Sequence, residues 1–295
     1  MTGPHPAGDW QPHTVVTDEL VDPAAVRAVA TLFDDDLPVP GVGDPLPPLW
    51  HWAALPRWAA SSELSVDGHP FRGSFLPPVE LPRRMFAGGS VRFPGVIAVG
   101  EVVRRSSTVE SVTEKHGRSG RLVVVVVSTV LSTSDGAVAV RETQNLVYRE
   151  AATPTAAPVA PDEAAGLVPA GPPLAPAGRH RWDFRTDPTL LMRFSAATAN
   201  AHRIHYDWPY ATRVEGYPGL VVHGPLMTMA LAQTHRLVAD GSRIAALTHR
   251  SSKPLFCADR AQLVYTATPD GARAELLGPG GDAAGAHSVV DLSFA

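Results

Sequence analysis

Gly224-Pro225-Leu226-Met227-Thr228-Met229-Ala230-Leu231-Ala232-Gln233-Thr234-His235-Arg236-Leu237-Val238 is the stretch on which the fold turns. It opens on glycine and reads as one long apolar helix. Strands are predicted after it over residues 243–251, 261–266, 272–277 and 286–294. Before it, residues 182–184 form a short strand. Asp187-Pro188 then starts a helix through Thr198, with Leu190, Leu191 and Phe194 on its buried stripe. A sheet wrapped around one apolar helix buries both without any βαβ unit, so the class is α+β.

The first half shows the same order less cleanly. Asp22 is the expected N-cap and Pro23 the expected first-turn residue of a helix over 24–33. Residues 47–60 carry Leu49, Trp50, Trp52, Leu55 and Trp58, and predict a second, mostly buried helix interrupted near Pro56. Strands follow over 90–105 and 107–116, with a turn at 117–120. The valine run within 121–132 is too apolar for a strand with one wet face. Asp135-Gly136 is a hairpin signal that returns the chain over 137–149. Two such units, paired edge to edge, would hide their exposed strands in one continuous sheet. Between them, residues 151–178 are dominated by Ala and Pro and read as an extended connector. The expected organisation is therefore a unit over 1–150, a connector over 151–178 and a second unit over 179–295.

Composition narrows the function classes. Of the 295 residues, 44% are hydrophobic and 18% charged, which fits a globular chain with a sizeable core. A net charge of -4 gives no general reason to expect nucleic acid. Cys257 is the single cysteine, which excludes an intramolecular disulfide and a cysteine-only metal site and fits a reducing compartment. Residues 1–11 lack an apolar export core, and no apolar run approaches the ~20 residues that cross a bilayer. A cytoplasmic protein is the expectation.

Chemistry concentrates in Asn200-Ala201-His202-Arg203-Ile204-His205-Tyr206-Asp207 and in His223-Gly224-Pro225. His205, in a loop just past a helix end, is the candidate acid/base, because an imidazole with an unperturbed pKa of ~6.5 exchanges protons near neutrality. An isolated histidine would more often be bonded to a nearby carbonyl; the surrounding cluster favours chemistry. Asn200 can hold a water or a substrate oxygen but takes no proton, and it could equally end the preceding helix. His202 is a second proton relay, an orienting partner or a surface loop histidine. Asp207 best reads as an N-cap ahead of Trp208-Pro209-Tyr210. Arg203 would bind an anionic group or be simply solvated, and Tyr206 sits in the same candidate substrate-binding stretch. Gly224 offers an unpaired N–H at the positive end of a helix dipole, or serves close packing alone. His223 beside it supports the loop. A metal at His202, His205 and Asp207 ranks below acid/base chemistry, since neither HExxH nor a cysteine set accompanies them. Neither GxGxxG after a strand nor GxxxxGK is present. Arg83-Arg84 and Arg104-Arg105 are basic pairs, and Lys115, Arg118 and Arg121 a basic turn. Solvated surface is the first reading for each, and anion contact the second.

These residues, from Phe194-Ser195-Ala196 through Asn200–Asp207 and on through Glu215-Gly216-Tyr217-Pro218-Gly219-Leu220-Val221-Val222-His223-Gly224-Pro225-Leu226, resemble the MaoC-like hydratase/dehydratase superfamily. Within it the resemblance is to the type-2 hydroxyacyl-thioester dehydratase and mesaconyl/itaconyl-CoA hydratase branch. Leu46-Pro47-Pro48-Leu49-Trp50-His51-Trp52, Gly73-Ser74-Phe75-Leu76-Pro77-Pro78, Leu81-Pro82-Arg83-Arg84-Met85-Phe86-Ala87-Gly88-Gly89, Thr113-Glu114-Lys115 and Gly117-Arg118-Ser119-Gly120 extend it through the first half.

The resemblance implies a double hotdog fold and reversible syn hydration of a 2-enoyl thioester of coenzyme A or an acyl carrier protein. It implies an aspartate and a histidine five residues apart. Here the histidine maps to His205, but Asn200 stands at the aspartate position, where the branch resembled commonly has asparagine. It also implies that Gly224 begins the helix that polarises the thioester carbonyl. Arg83, Arg84 or Arg203 would then meet the carboxylate of a dicarboxylic acyl group. His223 and Tyr206 complete the expected substrate contacts. Expected partners are the acyl thioester and, for assembly, a second copy of the chain; no cofactor, metal, nucleic acid or membrane is expected. A carrier-linked dehydratase or polyketide-type tailoring enzyme, and a thioester-binding pseudoenzyme, are the alternatives. Hotdog thioesterases fit the sequence from Asn200 to His205 poorly.

Overall fold

A computed structural model of the chain describes residues 10–117, 120–151, 171–238 and 241–295. Its strands are β1 (Thr14–Leu20), β2 (Arg83–Arg92), β3 (Val102–Gly117), β4 (Gly120–Ser132), β5 (Val138–Arg149), β6 (Leu174–Gly178), β7 (Arg181–Phe184), β8 (Ile244–Ser251), β9 (Ala261–Thr268), β10 (Gly271–Leu277) and β11 (Ser288–Phe294). They form one antiparallel sheet in the order β1-β3-β4-β5-β2-β8-β11-β10-β9-β7-β6. The two halves of the chain meet at β2 and β8, paired from Gly88↔Arg250 to Arg92↔Ala246. The sheet is therefore continuous, and neither half exposes an edge at the join.

Helix α1 (Pro23–Phe33) begins as its sequence dictates, with the Asp22 side chain accepting from the Ala24 N–H at 2.8 Å. The second-half helices form as the periodicity predicts. Pro188–Ala197 is capped by Asp187, whose carboxylate accepts from the Leu190 N–H at 2.7 Å. Gly224–Val238 is the long apolar helix, buried without interruption from Leu226 to His235. It packs on β9, β10 and β11, with Leu226, Met229 and Leu231 among its fully buried side chains. Each such side chain stabilises the fold by about 1.5–3 kcal/mol relative to exposure.

Four expectations are corrected. The long helix over 47–60 is only one turn, α2 (His51–Ala54), because Pro47, Pro48 and Pro56 bracket it. The strand expected over 107–116 is not separate but part of β3, which runs on to Gly117. The strand expected over 90–105 is two pieces: β2 starts earlier, at Arg83, and β3 later, at Val102. Gly88-Gly89 hid β2, since paired glycines weaken a strand signal. They are required because β2 runs close to its neighbours. A Cβ at Gly88 would lie 2.3 Å from the His249 carbonyl oxygen, and one at Gly89 1.9 Å from that of Thr143. Finally, residues 174–178 of the expected connector are strand β6. Pro176 is tolerated there because β6 is the sheet edge. Residues 152–170 of that connector lie outside the described residues. β1 is an edge strand that the sequence did not announce.

The valine run is β4, and its alternation explains its composition. Val123, Val125, Val127 and Leu131 are buried, while Val124, Val126 and Val130 on the other face are half-buried rather than wet.

Candidate active site

The helix over Pro188–Ala197 ends where Ala199 takes a left-handed φ of 52°. This turns the chain into the Asn200–His205 loop. Asn200 Oδ1 accepts from the His202 N–H at 3.1 Å, so the loop occupies the carbonyl side of the amide. Its NH2 group is then the side free to meet a ligand. A 3-10 turn over Arg203–His205 brings His205 inside. His205 Nδ1 lies 2.7 Å from the Val221 carbonyl oxygen. A carbonyl only accepts, so that nitrogen carries the proton and Nε2 keeps its lone pair. The ring stacks on His223, centroids 3.5 Å apart, and meets His202 edge-on at 5.5 Å.

Asn200, His202, His205 and Gly224 line one cavity of about 270 Å³. The first half contributes His69, Arg84 and Phe86 to the same walls. Gly224 opens the long second-half helix, whose first-turn N–H groups have no intrahelical acceptors. A Cβ there would come within 2.8 Å of the Phe86 ring, so close packing and proximity to the cavity both hold.

Burial dominates the electrostatics. It lowers His205 from 6.5 to about 3, assisted by His202, against the bond to Val221. It lowers His223 well below the ordinary range, with His205 and His202 adding to the effect. His249, buried between Phe86 and Trp52, is lowered to about 4. These rings are neutral at pH 7, so the Nε2 lone pair of His205 can accept a proton or a hydrogen bond. The unfolded chain binds protons near 6.5 that the folded chain refuses, so stability is present above that value and is lost as the pH falls. The thermal midpoint is expected to drop steadily from about pH 6.5 to about pH 4; a midpoint flat across that window would contradict the buried neutral rings.

The remaining expected residues go elsewhere. Arg203 does not line the cavity; its guanidinium donates to Asp207 at 2.7 Å and to the Val66 carbonyl at 3.1 Å. Asp207 also accepts from the Tyr210 N–H at 3.1 Å, the capping role expected of it, and so is no partner for a metal at His202 and His205. Tyr206 is 44% exposed, and its hydroxyl donates to the Ala201 carbonyl. His223 is fully buried behind His205, its Nε2 2.9 Å from Ser195 Oγ. Arg83 lies against Glu215 at 3.5 Å and over the Tyr217 ring. Arg84 does line the cavity, and no described carboxylate lies within 4.0 Å of it. Burial lowers its pKa.

Sequence reasoning missed three residues beside this loop. Asp67 and His69 come from the irregular first-half run, and Glu215 from the second half. His69 Nδ1 is 3.1 Å from Asp67 Oδ2, and Glu215 Oε1 is 3.8 Å from His202 Nε2. Asp67, His69 and His202 could together hold a cation, their ligating atoms lying within 4.8 Å of one another. The available signal was Asp67-Gly68-His69, a glycine turn between two titratable residues.

Comparison with known proteins gives the family and the fold. The family described as hydroxyacyl-thioester dehydratase type 2 matches residues 49–257. Mesaconyl-C(4)-CoA hydratase of Chloroflexus aurantiacus is 44% identical over 279 residues, covering 93% of each chain. The mitochondrial type 2 hydroxyacyl-thioester dehydratase of Schizosaccharomyces pombe is 42% identical over 60 residues, 20% of each chain. Among solved structures, HtdX of Mycobacterium tuberculosis superposes with a TM-score of 0.62 at 20% identity, covering 96% of this chain and all of that one. A second M. tuberculosis protein, described as a double hotdog, superposes at 0.56 with 16% identity, covering 97% and 96%. These structural likenesses show the α+β double hotdog fold. No described helix is long and apolar enough to cross a membrane.

Proposed function

Since the chain belongs to the type 2 hydroxyacyl-thioester dehydratase family, we propose that it reversibly hydrates a 2-enoyl thioester of coenzyme A. The acyl group in this reading is dicarboxylic and mesaconyl-like. The observation that carries it is the neutral His205 ring, its Nδ1 proton held by Val221, in one cavity with the start of the Gly224 helix.

His205 Nε2 takes a proton from water as the water oxygen attacks C3 of the enoyl group. The π electrons move toward the thioester oxygen, and the helix-start N–H at Gly224 stabilises the enolate. His205 returns the proton to C2, which closes the balance. The Asn200 amide and His202 orient the water. In reverse the same groups remove water.

Arg84 is our candidate for the free carboxylate of the acyl group. Arg83 lies against Glu215 and Arg203 is bonded to Asp207, whereas Arg84 lines the cavity with Tyr148 and, farther off, Asp67 acting on its charge but no described carboxylate within 4.0 Å. A desolvated guanidinium–carboxylate pair is worth about 2–5 kcal/mol when one partner is removed. Arg84→Gln is therefore expected to lower kcat/KM for mesaconyl-CoA by about 100-fold and for crotonyl-CoA by less than about 5-fold. Equal losses on the two thioesters would remove Arg84 from this role. Mass spectrometry of products from a panel of CoA and carrier-protein thioesters tests the substrate class itself. We place the reaction in the cytoplasm, where the free Cys257, its thiol pushed up to about 12 by burial, would stay reduced.

A further inference from the structure

We propose that Asp67 and His69 supply what position 200 lacks: an anionic group that fixes the reacting water, acting through an imidazole. This rests on the hydration reading above and deepens it.

The Asp67-Gly68-His69 turn is fastened to the Asn200–His205 loop by its backbone. The Arg203 N–H donates to the Asp67 carbonyl at 2.9 Å. Gly68, at φ +89°, lies so close that a Cβ there would sit 1.8 Å from the Ala201 carbonyl oxygen. Within the turn, Asp67 Oδ1 accepts from the Ser65 hydroxyl and from the His69 N–H, the latter at 2.9 Å. Oδ2 faces His69 Nδ1 at 3.1 Å. Burial alone would raise the Asp67 carboxyl, but the bonds from His69 and Ser65 outweigh it and hold it ionised. Burial and then Arg84 push the His69 ring down, so it is neutral beside that carboxylate. A carboxylate accepts only, so the ring proton sits on Nδ1.

That leaves Nε2 of His69 as a hydrogen-bond acceptor on a ring that lines the cavity and lies 4.2 Å from His202, centroid to centroid. Water brings two hydrogens. His205 removes one and returns it to C2; the other stays on the product hydroxyl. His69 accepts a hydrogen bond from that second O–H and so aims the oxygen lone pair at C3. No additional proton is transferred, and the balance of the reaction is unchanged. Glu215 does not do this: it lies 3.8 Å from His202, is held by Arg83, and does not line the cavity.

The test is steady-state kinetics on mesaconyl-CoA for Asp67→Asn, His69→Leu, His69→Gln and His205→Ala, with nitrogen NMR of the His69 ring. The amide introduced by Asp67→Asn can donate to Nδ1 and drive the proton to Nε2, destroying the acceptor. Losing an orienting carboxylate in this way costs about 10⁴-fold in kcat in the Asp–His pair of a Ser-His-Asp triad. Expected here are kcat losses of at least about 10²-fold for Asp67→Asn and His69→Leu with KM within about 3-fold, and a tautomer change in Asp67→Asn. His69→Gln, whose amide oxygen also accepts, should retain more kcat than His69→Leu; being uncharged and similar in size, it serves even if Asp67→Asn fails to fold. Unchanged kcat in His69→Leu while His205→Ala is inactive would overturn this inference and leave the hydration reading standing. Full activity in His205→Ala would instead overturn that reading. Stoichiometric metal in the purified protein, lost with His69, would also overturn the inference, because Nε2 would then be a ligand.

Discussion

His205→Ala is expected to lower kcat for hydration of mesaconyl-CoA by about 10²- to 10⁴-fold, the range for removal of a positioned general base. The fold holds this ring in one tautomer and one charge state. Val221 fixes its proton on Nδ1 at 2.7 Å, and burial keeps it neutral far below its ordinary 6.5. The acidic limb of the kcat profile is therefore expected well below pH 6.5. Truncation also removes the stacking partner of His223, so folding must be checked by circular dichroism and thermal midpoint. His205→Gln keeps volume and hydrogen bonding but cannot carry a proton at neutral pH. It is expected to be as inactive as His205→Ala with a smaller loss of stability. A Gln variant as active as wild type would show that position 205 only orients.

Gly68→Ala should produce the largest structural effect. The left-handed φ of 89° costs a non-glycine residue about 1 kcal/mol. The added Cβ also meets the Ala201 carbonyl at 1.8 Å, a backbone atom that cannot swing away. The turn must lift off the Asn200–His205 loop, breaking the Arg203-to-Asp67 backbone bond. A loss of about 2–4 kcal/mol in chemical denaturation is expected, together with most of the activity. Gly219→Ala is the control: an added Cβ meets nothing within 4 Å, and stability should be within about 0.5 kcal/mol of wild type. A Gly68→Ala protein as stable as that control would mean that the two halves do not meet as described.

Sequence patterning carried the second half well because its signals are local. Asp187-Pro188 and Gly224-Pro225 mark helix starts within a residue, and the four strands after them alternate regularly. In the first half, breakers and close packing mask the local signals. Prolines cut the expected long helix to His51–Ala54. Glycines required by close strand approach disguised β2, so Arg83-Arg84 read as surface when the strand is central. The same limit applies to the site. Asn200, His202, His205 and Gly224 are near in sequence to one apolar helix and were visible together. Arg84 could not be told from Arg83 or Arg203 without knowing which arginine faces the cavity. Asp67 and His69 approach His202 only across a separation of more than a hundred residues, which no periodicity reports.

Hydration of mesaconyl-CoA in deuterated water, followed by mass spectrometry and proton NMR of the product, tests proton transfer by His205. Wild-type protein is expected to add one water and place one deuterium at C2 stereospecifically, and His205→Ala to do neither. Absence of any adduct or exchange with wild type across the thioester panel, or identical product formation by the variant, would contradict it.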